Sequence, residues 1–236
     1  MKLLVSPQNA QEAAEAIAGG AEIIDVKNPS EGPLGANFPW VLRQVRAATP
    51  GHLPVSAALG DVPNLPGTIT LAALGAATCG LEYIKVGLLG PRLTAEALTM
   101  LQSICRAVSE SAPQTQVIAS AYADAQRVNA FPPLELPAVA AEAGAAGCLL
   151  DTAIKKGDNL FTHLDDEQLS RFVEQCRQFH LLSALAGSLV AADVPRIQAI
   201  GPDIIGFRTA ACLGDRLHGR IDAGRVRHLK ALLDAD

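Results

Sequence analysis

The sequence predicts an α/β chain folded as a single (β/α)8 (TIM) barrel spanning residues 1–236, on three observations. Short β-type runs alternate with Ala/Leu-rich helical segments about eight times along the chain. No linker or compositional break divides the series. With 236 residues, 49% of them hydrophobic, the chain fills one large core, and α/β barrels run to this length as one domain. Continuous alternation requires parallel pairing with right-handed crossovers, which leaves few topologies. An open doubly wound sheet would carry a glycine-rich dinucleotide turn after its first strand. Ser6-Pro7-Gln8-Asn9 is not such a turn.

Each element has a local reason. Residues 3–6 read as the first strand and 9–19 as the first helix, which Gly19-Gly20 stops. Residues 22–26 and 38–48 form the second unit, with Pro39 where a first helical turn tolerates it. The third unit is 54–59 with 68–78. The fourth is 83–87 with 94–109, whose helix offers Thr94 as a cap. Strand 116–122 precedes a helix from about 136 to 143, ended at Gly144. Strand 147–151 leads to helix 165–179, where Asp165, Asp166 and Glu167 suit the positive end of the helix dipole. Residues 181–185 with 193–200, and 204–208 with 222–233, complete the series.

A net charge of −5 and a pI near 5.5 offer no general basic face, so no nucleic-acid partner is expected. Small anionic ligands remain possible, because a local cluster of lysines outweighs the global charge. Cys79, Cys105, Cys148, Cys176 and Cys212 are scattered without metal-ligand spacing. They read as free thiols in a reducing cytoplasm. The N-terminus is too poor in apolar residues for a signal peptide, and no apolar run approaches the ~20 residues of a membrane span. A cytoplasmic protein without a membrane partner is expected. The Ala- and Leu-bearing helices are compatible with a homo-oligomer.

The active site of such a barrel lies at the C-terminal ends of its strands. Asp25 and Lys27, two apart on the second strand, share a face just before Asn28-Pro29 breaks it. The fourth strand adds Lys85, and the sixth adds Asp151 with Lys155 just beyond. Alternate strands feed the same interior layers, so three lysines and two aspartates converge at the mouth. Lysine crowded by other cations becomes partly neutral and attacks carbonyls to form a Schiff base. Carboxylates and a second lysine then move protons. That is aldolase-type chemistry and requires no redox cofactor. After strands seven and eight, Gly187-Ser188 and Arg208-Thr209 supply backbone N–H groups and side-chain donors where barrel enzymes hold phosphate. The expected ligand is a small phosphorylated triose or sugar. No metal signature accompanies Asp25 and Asp151.

Four ordered motifs carry a resemblance across the whole chain. Asp25-Val-Lys-Asn-Pro, Tyr83-Ile-Lys-Val-Gly, Leu150-Asp-Thr-Ala-Ile-Lys-Lys and Gly206-Phe-Arg-Thr-Ala-Ala-Cys resemble the (5-formylfuran-3-yl)methyl phosphate synthase family of methanofuran biosynthesis. The resemblance implies a lyase that condenses two molecules of glyceraldehyde 3-phosphate, losing one phosphate and water. It implies Lys27 as the Schiff-base lysine and Lys85 as a proton-transfer lysine. Asp25, Asp151 and Lys155 match the supporting acid/base and positioning groups. Whether Lys155 or Lys156 enters the pocket stays open at this point. A generic Schiff-base aldolase, a sugar-phosphate isomerase and a non-catalytic phosphometabolite-binding barrel are the competing readings, since fold does not fix function.

The remaining polar residues carry weaker signals. His52, His163, His180, His218 and His228 show no pairing pattern, and only His163, on the sixth loop, merits a mutant. Cys148 and Cys212 read as packing residues. Asp61, Asp124 and Arg216 lie on the mouth-side loops three, five and eight, within reach of a ligand.

Overall fold

Strand alternation sorts the apolar residues into two separate cores. In the computed structural model, which describes residues 1–235, the barrel strands are β1 (Lys2–Val5), β2 (Ile23–Val26), β3 (Val55–Ala58) and β4 (Tyr83–Gly87). β5 (Gln116–Tyr122), β6 (Gly147–Asp151), β7 (Leu182–Leu185) and β8 (Ile204–Phe207) follow. They close in sequence order with every neighbour parallel, and β8 pairs back onto β1. One side-chain set, including Val5, Ile24, Val26, Val55, Ile84 and Val86, packs in the large outer core against the helices. The other set faces the barrel interior, where Ala58, Ile118, Tyr122, Leu149 and Ala184 cluster with Leu34 from the loop after β2.

That inward set also carries the polar residues. The register places Asp25 beside Ser56, Ala58 beside Lys85 and Tyr122 beside Asp151. Neighbours in a parallel ladder point the same way, so these side chains converge at one end of the barrel.

The outer layer comprises α1 (Ala10–Ala18), α2 (Pro39–Ala48), α3 (Pro66–Ala77), α4 (Thr94–Ser111) and α5 (Ala125–Val128). It continues with α6 (Leu136–Ala143), α7 (Leu160–His163), α8 (Asp166–Gln178), α9 (Val194–Ile200) and α10 (Ala223–Asp234). Capping explains several boundaries. Asn9 accepts from the Glu12 N–H at 2.9 Å to start α1, and Asp165 accepts from the Gln168 N–H at 2.8 Å to start α8. α4 departs from expectation. Its flanking residue is Leu93, and Glu96 takes the N–H groups of Arg92 and Leu93 at 2.8 and 3.2 Å. The Thr94 hydroxyl instead donates to Glu135 at 2.6 Å.

The structure adds α5 and α7, four residues each, too short to display a helical period in sequence. It also adds a small antiparallel pair after β8, Cys212–Leu213 with Arg220–Ile221. That hairpin carries Arg216. Among the described residues, no helix is long and apolar enough to cross a membrane.

Candidate active site

β2 stops where Pro29 can no longer donate to the ladder, and Asn28 turns the chain by accepting from the Ser30 N–H at 3.2 Å. Lys27 is thereby left at the rim of the barrel, yet only 7% of it is exposed. Its Nζ donates to the Pro33 carbonyl at 3.4 Å, the one hydrogen bond it makes among the described residues. Burial lowers the Lys27 ammonium to about 7. Asp151 and Asp25 pull it upward, while Lys85 and Lys155 push it down. An amine in this state is substantially neutral near neutral pH, as a nucleophile must be.

Two ion pairs flank that amine. Asp25 Oδ2 accepts from Lys85 Nζ at 2.6 Å and from the Ser6 hydroxyl at 2.9 Å. Burial raises the Asp25 carboxyl, but the charges of Lys85 and Lys27 outweigh it and hold it below its ordinary value. Asp151 Oδ1 accepts from Lys155 Nζ and from the Thr152 N–H, the latter at 2.7 Å. Burial again opposes ionisation there, and Lys155 and Lys27 overcome it, bringing Asp151 down to about 2. Each carboxylate keeps one buried oxygen without a protein partner, Asp25 Oδ1 and Asp151 Oδ2. Such oxygens are free to accept a substrate proton or hydroxyl. Lys155 therefore faces the cavity, while Lys156 is exposed to solvent.

The cavity is also lined by Gly187, Ser188, Arg208, Thr209 and Arg216. Gly187 and Ser188 both have positive φ, 111° and 53°. A side chain at Gly187 would press on Thr152 at 3.1 Å. Arg208 is placed differently from the simple donor that sequence suggests. Its Nη1 binds Glu12 at 2.9 Å and the Ser6 carbonyl at 2.6 Å, and its Nε binds the Arg216 carbonyl at 2.8 Å. Nη2 has no partner among the described residues. Much of this guanidinium holds α1 and the Arg216 loop to the barrel. The guanidinium of Arg216, half-buried, meets only the Gly32 carbonyl among the described residues, at 3.5 Å, and is the freer cation of the two.

Several residues around the mouth were invisible or faint in sequence. Asp124, 2% exposed, accepts the N–H groups of Ala153 and Ile154 at 2.7 and 2.8 Å, clamping the loop that presents Lys155. Asp61 accepts from the Tyr122 hydroxyl and from the Leu34 N–H. Buried Ser56 lines the cavity with its hydroxyl unpartnered. Ser6 and Ser56 carry no sequence signal beyond small polarity on an inward face. His163 sits on α7 with Nε2 buried, 3.9 Å from Asp158, and does not line the cavity. The cysteines are free, and contact with Cys176 together with burial pushes the Cys148 thiol up, away from nucleophilic use. Among the described residues no cluster of three or more His, Cys, Asp or Glu is arranged as metal ligands.

A buried lysine of lowered basicity between two lysine–aspartate pairs, at the mouth of a (β/α)8 barrel, defines a barrel enzyme. Residues 3–230 match the 4-HFC-P synthase family, and the chain belongs to it. It is 52% identical over 236 residues to (5-formylfuran-3-yl)methyl phosphate synthase of Methanothermobacter thermautotrophicus, covering 100% of both chains. The enzyme of the same name from Methanocaldococcus jannaschii is 51% identical over 233 residues, covering 98% of this chain and 99% of that one. Among solved structures, 3-hexulose-6-phosphate synthase superimposes with a TM-score of 0.63 at 17% identity, covering 99% of this chain and 100% of that one. KGPDC from Streptococcus mutans gives a TM-score of 0.66 at 12% identity, covering 98% and 96%. At those identities the solved structures establish the barrel fold alone.

Proposed function

We propose that this protein is a lyase of methanofuran-type C1-carrier biosynthesis that makes (5-formylfuran-3-yl)methyl phosphate from two molecules of glyceraldehyde 3-phosphate. Atoms balance when one phosphate and two waters leave. The observation that carries this reading is Lys27, a buried amine lowered to about 7 and held between Asp25–Lys85 and Asp151–Lys155. Near-full-length identity of about half to named synthases supports it.

In this reading the Lys27 amine attacks the aldehyde carbon of one triose. Lys155 or Lys85 supplies the proton with which the hydroxyl departs as water, leaving a protonated imine. That imine acidifies the adjacent carbon, whose proton passes to a free carboxylate oxygen of Asp25 or Asp151. The resulting enamine can expel the phosphate one carbon further on, or attack the second aldehyde. Carbon–carbon bond formation, ring closure and loss of two further waters complete the furan, and hydrolysis frees Lys27 by returning the water released when the imine formed. The retained phosphate is held by the N–H groups of Gly187 and Ser188, the Thr209 region, Arg216 and the unpartnered Nη2 of Arg208. The reaction as written uses no cofactor.

Borohydride trapping tests the reading. The protein is incubated with glyceraldehyde 3-phosphate, reduced, digested and mapped by mass spectrometry. The expected result is an adduct on Lys27, absent in Lys27→Ala, with an ultraviolet-absorbing furan aldehyde in unreduced samples. Substrate binding without any lysine adduct would overturn the mechanism in favour of a binding barrel. An adduct without the furan would leave a generic aldolase.

A further inference from the structure

Asp61 is a half-buried carboxylate with no ion-pair partner among the described residues and no part in the chemistry above. It lies on the loop after β3. Tyr122, fully buried at the end of β5, donates its hydroxyl to Asp61 Oδ1, and the Leu34 N–H donates to Oδ2 at 3.2 Å. The pair occupies room that Gly87 leaves at the end of β4. A Cβ added there would lie 2.4 Å from Asp61 Oδ1 and 2.9 Å from the Tyr122 hydroxyl.

What Asp61 grips is the segment that touches Lys27. Residues 28–35 form a closed loop, with the Asn28 N–H donating to the Gly35 carbonyl at 2.9 Å. A side chain at Gly35 would strike the Asn28 carbonyl at 2.1 Å, so the closure depends on glycine. Within the loop, Gly60 N–H donates to the Leu34 carbonyl at 3.0 Å and Arg216 reaches the Gly32 carbonyl at 3.5 Å. Pro33 sits between these anchors and offers its carbonyl to Lys27 Nζ. A neutral amine that donates one hydrogen in a set direction has its lone pair confined to two staggered positions.

We infer that Asp61, braced by Tyr122, is a positioning residue for Lys27: it fixes the Gly32–Leu34 segment so that the Pro33 carbonyl orients the reactive amine and excludes water from it. This rests on Lys27 being the nucleophile. Asp25 on β2, Lys85 on β4, Asp151 on β6 and Lys155 after β6 are the charged groups that face Lys27; none of them hydrogen-bonds Asp61 among the described residues, and the charges of Asp151 and Lys155 act on it in opposite directions.

The test reads Lys27 directly. Competitive labelling with acetic anhydride across pH, mapped by peptide mass spectrometry, gives the midpoint at which the Lys27 amine becomes reactive. Deleting the Asp61 charge alone would move that midpoint down, because a nearby anion favours the ammonium. Loosening the segment admits water and moves it up. Asp61→Ala is expected to raise the midpoint by about one pH unit and to lower kcat roughly 10- to 100-fold with KM little changed. Asp61→Asn can still accept from Leu34 and face the Tyr122 oxygen, so it should recover most of both properties. Tyr122→Phe should shift the midpoint in the same direction by less, which keeps the idea testable if Asp61→Ala fails to fold. An unchanged or lowered midpoint in Asp61→Ala overturns the proposal, as does Asp61→Asn behaving like Asp61→Ala. The labelling needs no turnover. An absent imine in the wild type would therefore count against the Schiff-base reading without touching this readout.

Discussion

The two lysine–aspartate pairs at the mouth are chemically alike and mechanically different. Asp25–Lys85 joins side chains 60 residues apart, both borne by strands, with side-chain exposures of 0% and 5%. Asp151–Lys155 joins residues four apart, and its lysine rides a loop at 12% exposure. The strand-borne pair has nowhere to relax when cut. The loop-borne lysine can turn toward solvent or substrate, held in range by the Asp124 clamp on Ala153 and Ile154. One pair is suited to setting the field around Lys27, the other to carrying protons.

The largest expected effect lies between the two pairs. Lys27→Ala removes the proposed nucleophile and should lower turnover by about 10⁴-fold or more, checked by steady-state assay with circular dichroism to confirm folding. The next effect separates the pairs by stability. Lys85→Met strands the buried Asp25 charge and should destabilise by about 3–5 kcal/mol. Lys155→Met should cost clearly less, because its lysine was partly solvated and rides a loop that can relax around Asp151. Urea titrations of both variants decide the point; equal losses would mean that the loop is as rigid as the strands.

A smaller effect has opposite signs in the two pairs. Lys85 depresses the Lys27 amine and Asp151 raises it. The ascending limb of the pH–rate profile, near pH 7 in the wild type, should move to higher pH in Lys85→Met and to lower pH in Asp151→Asn. Shifts of the same sign would show that one global change, not two local charges, governs Lys27.

A further effect is on stability against pH. Asp151 falls from 3.8 to about 2 on folding, so its contribution is complete above about pH 4 and is lost as pH falls toward 2. Lys27 falls from 10.5 to about 7, so the unfolded chain binds the extra proton between those values and stability rises with pH across that window. Lys27→Met should flatten the alkaline slope and Asp151→Asn the acid one, read from melting temperature against pH.

These contrasts explain what the sequence could announce. Asp25 and Lys27 were legible because strands have a period of two, so a spacing of two places both at one mouth. Lys85 and Asp151 followed from strand ends in an eightfold alternation. The choice between Lys155 and Lys156 was not legible, since a loop has no period to assign a face. Arg208 looked like a ligand donor because its commitment to Glu12 spans 196 residues, and nothing local to Glu12 marks it. Asp61 and Tyr122, 61 residues apart, meet only because Gly87 leaves space between them. Tyr122 alone reads as one more aromatic in a strand. The short helices α5 and α7 were missed for want of length, while the eight strands emerged within a residue or two of their bounds.

The division into two cores bears on how such a protein changes over generations. Val5, Ile24, Val55 and Val86 belong to the outer core, and none of them is shared with the interior cluster around Leu34, Tyr122 and Leu149. Conservative exchanges in the outer layer can therefore accumulate, trading a little stability back and forth, while the mouth keeps its geometry. Inside, the same exchange falls on the floor that supports the lysines. A lineage can thus adapt its barrel to a new temperature and leave its chemistry in place, because the two kinds of change fall on opposite sides of one sheet.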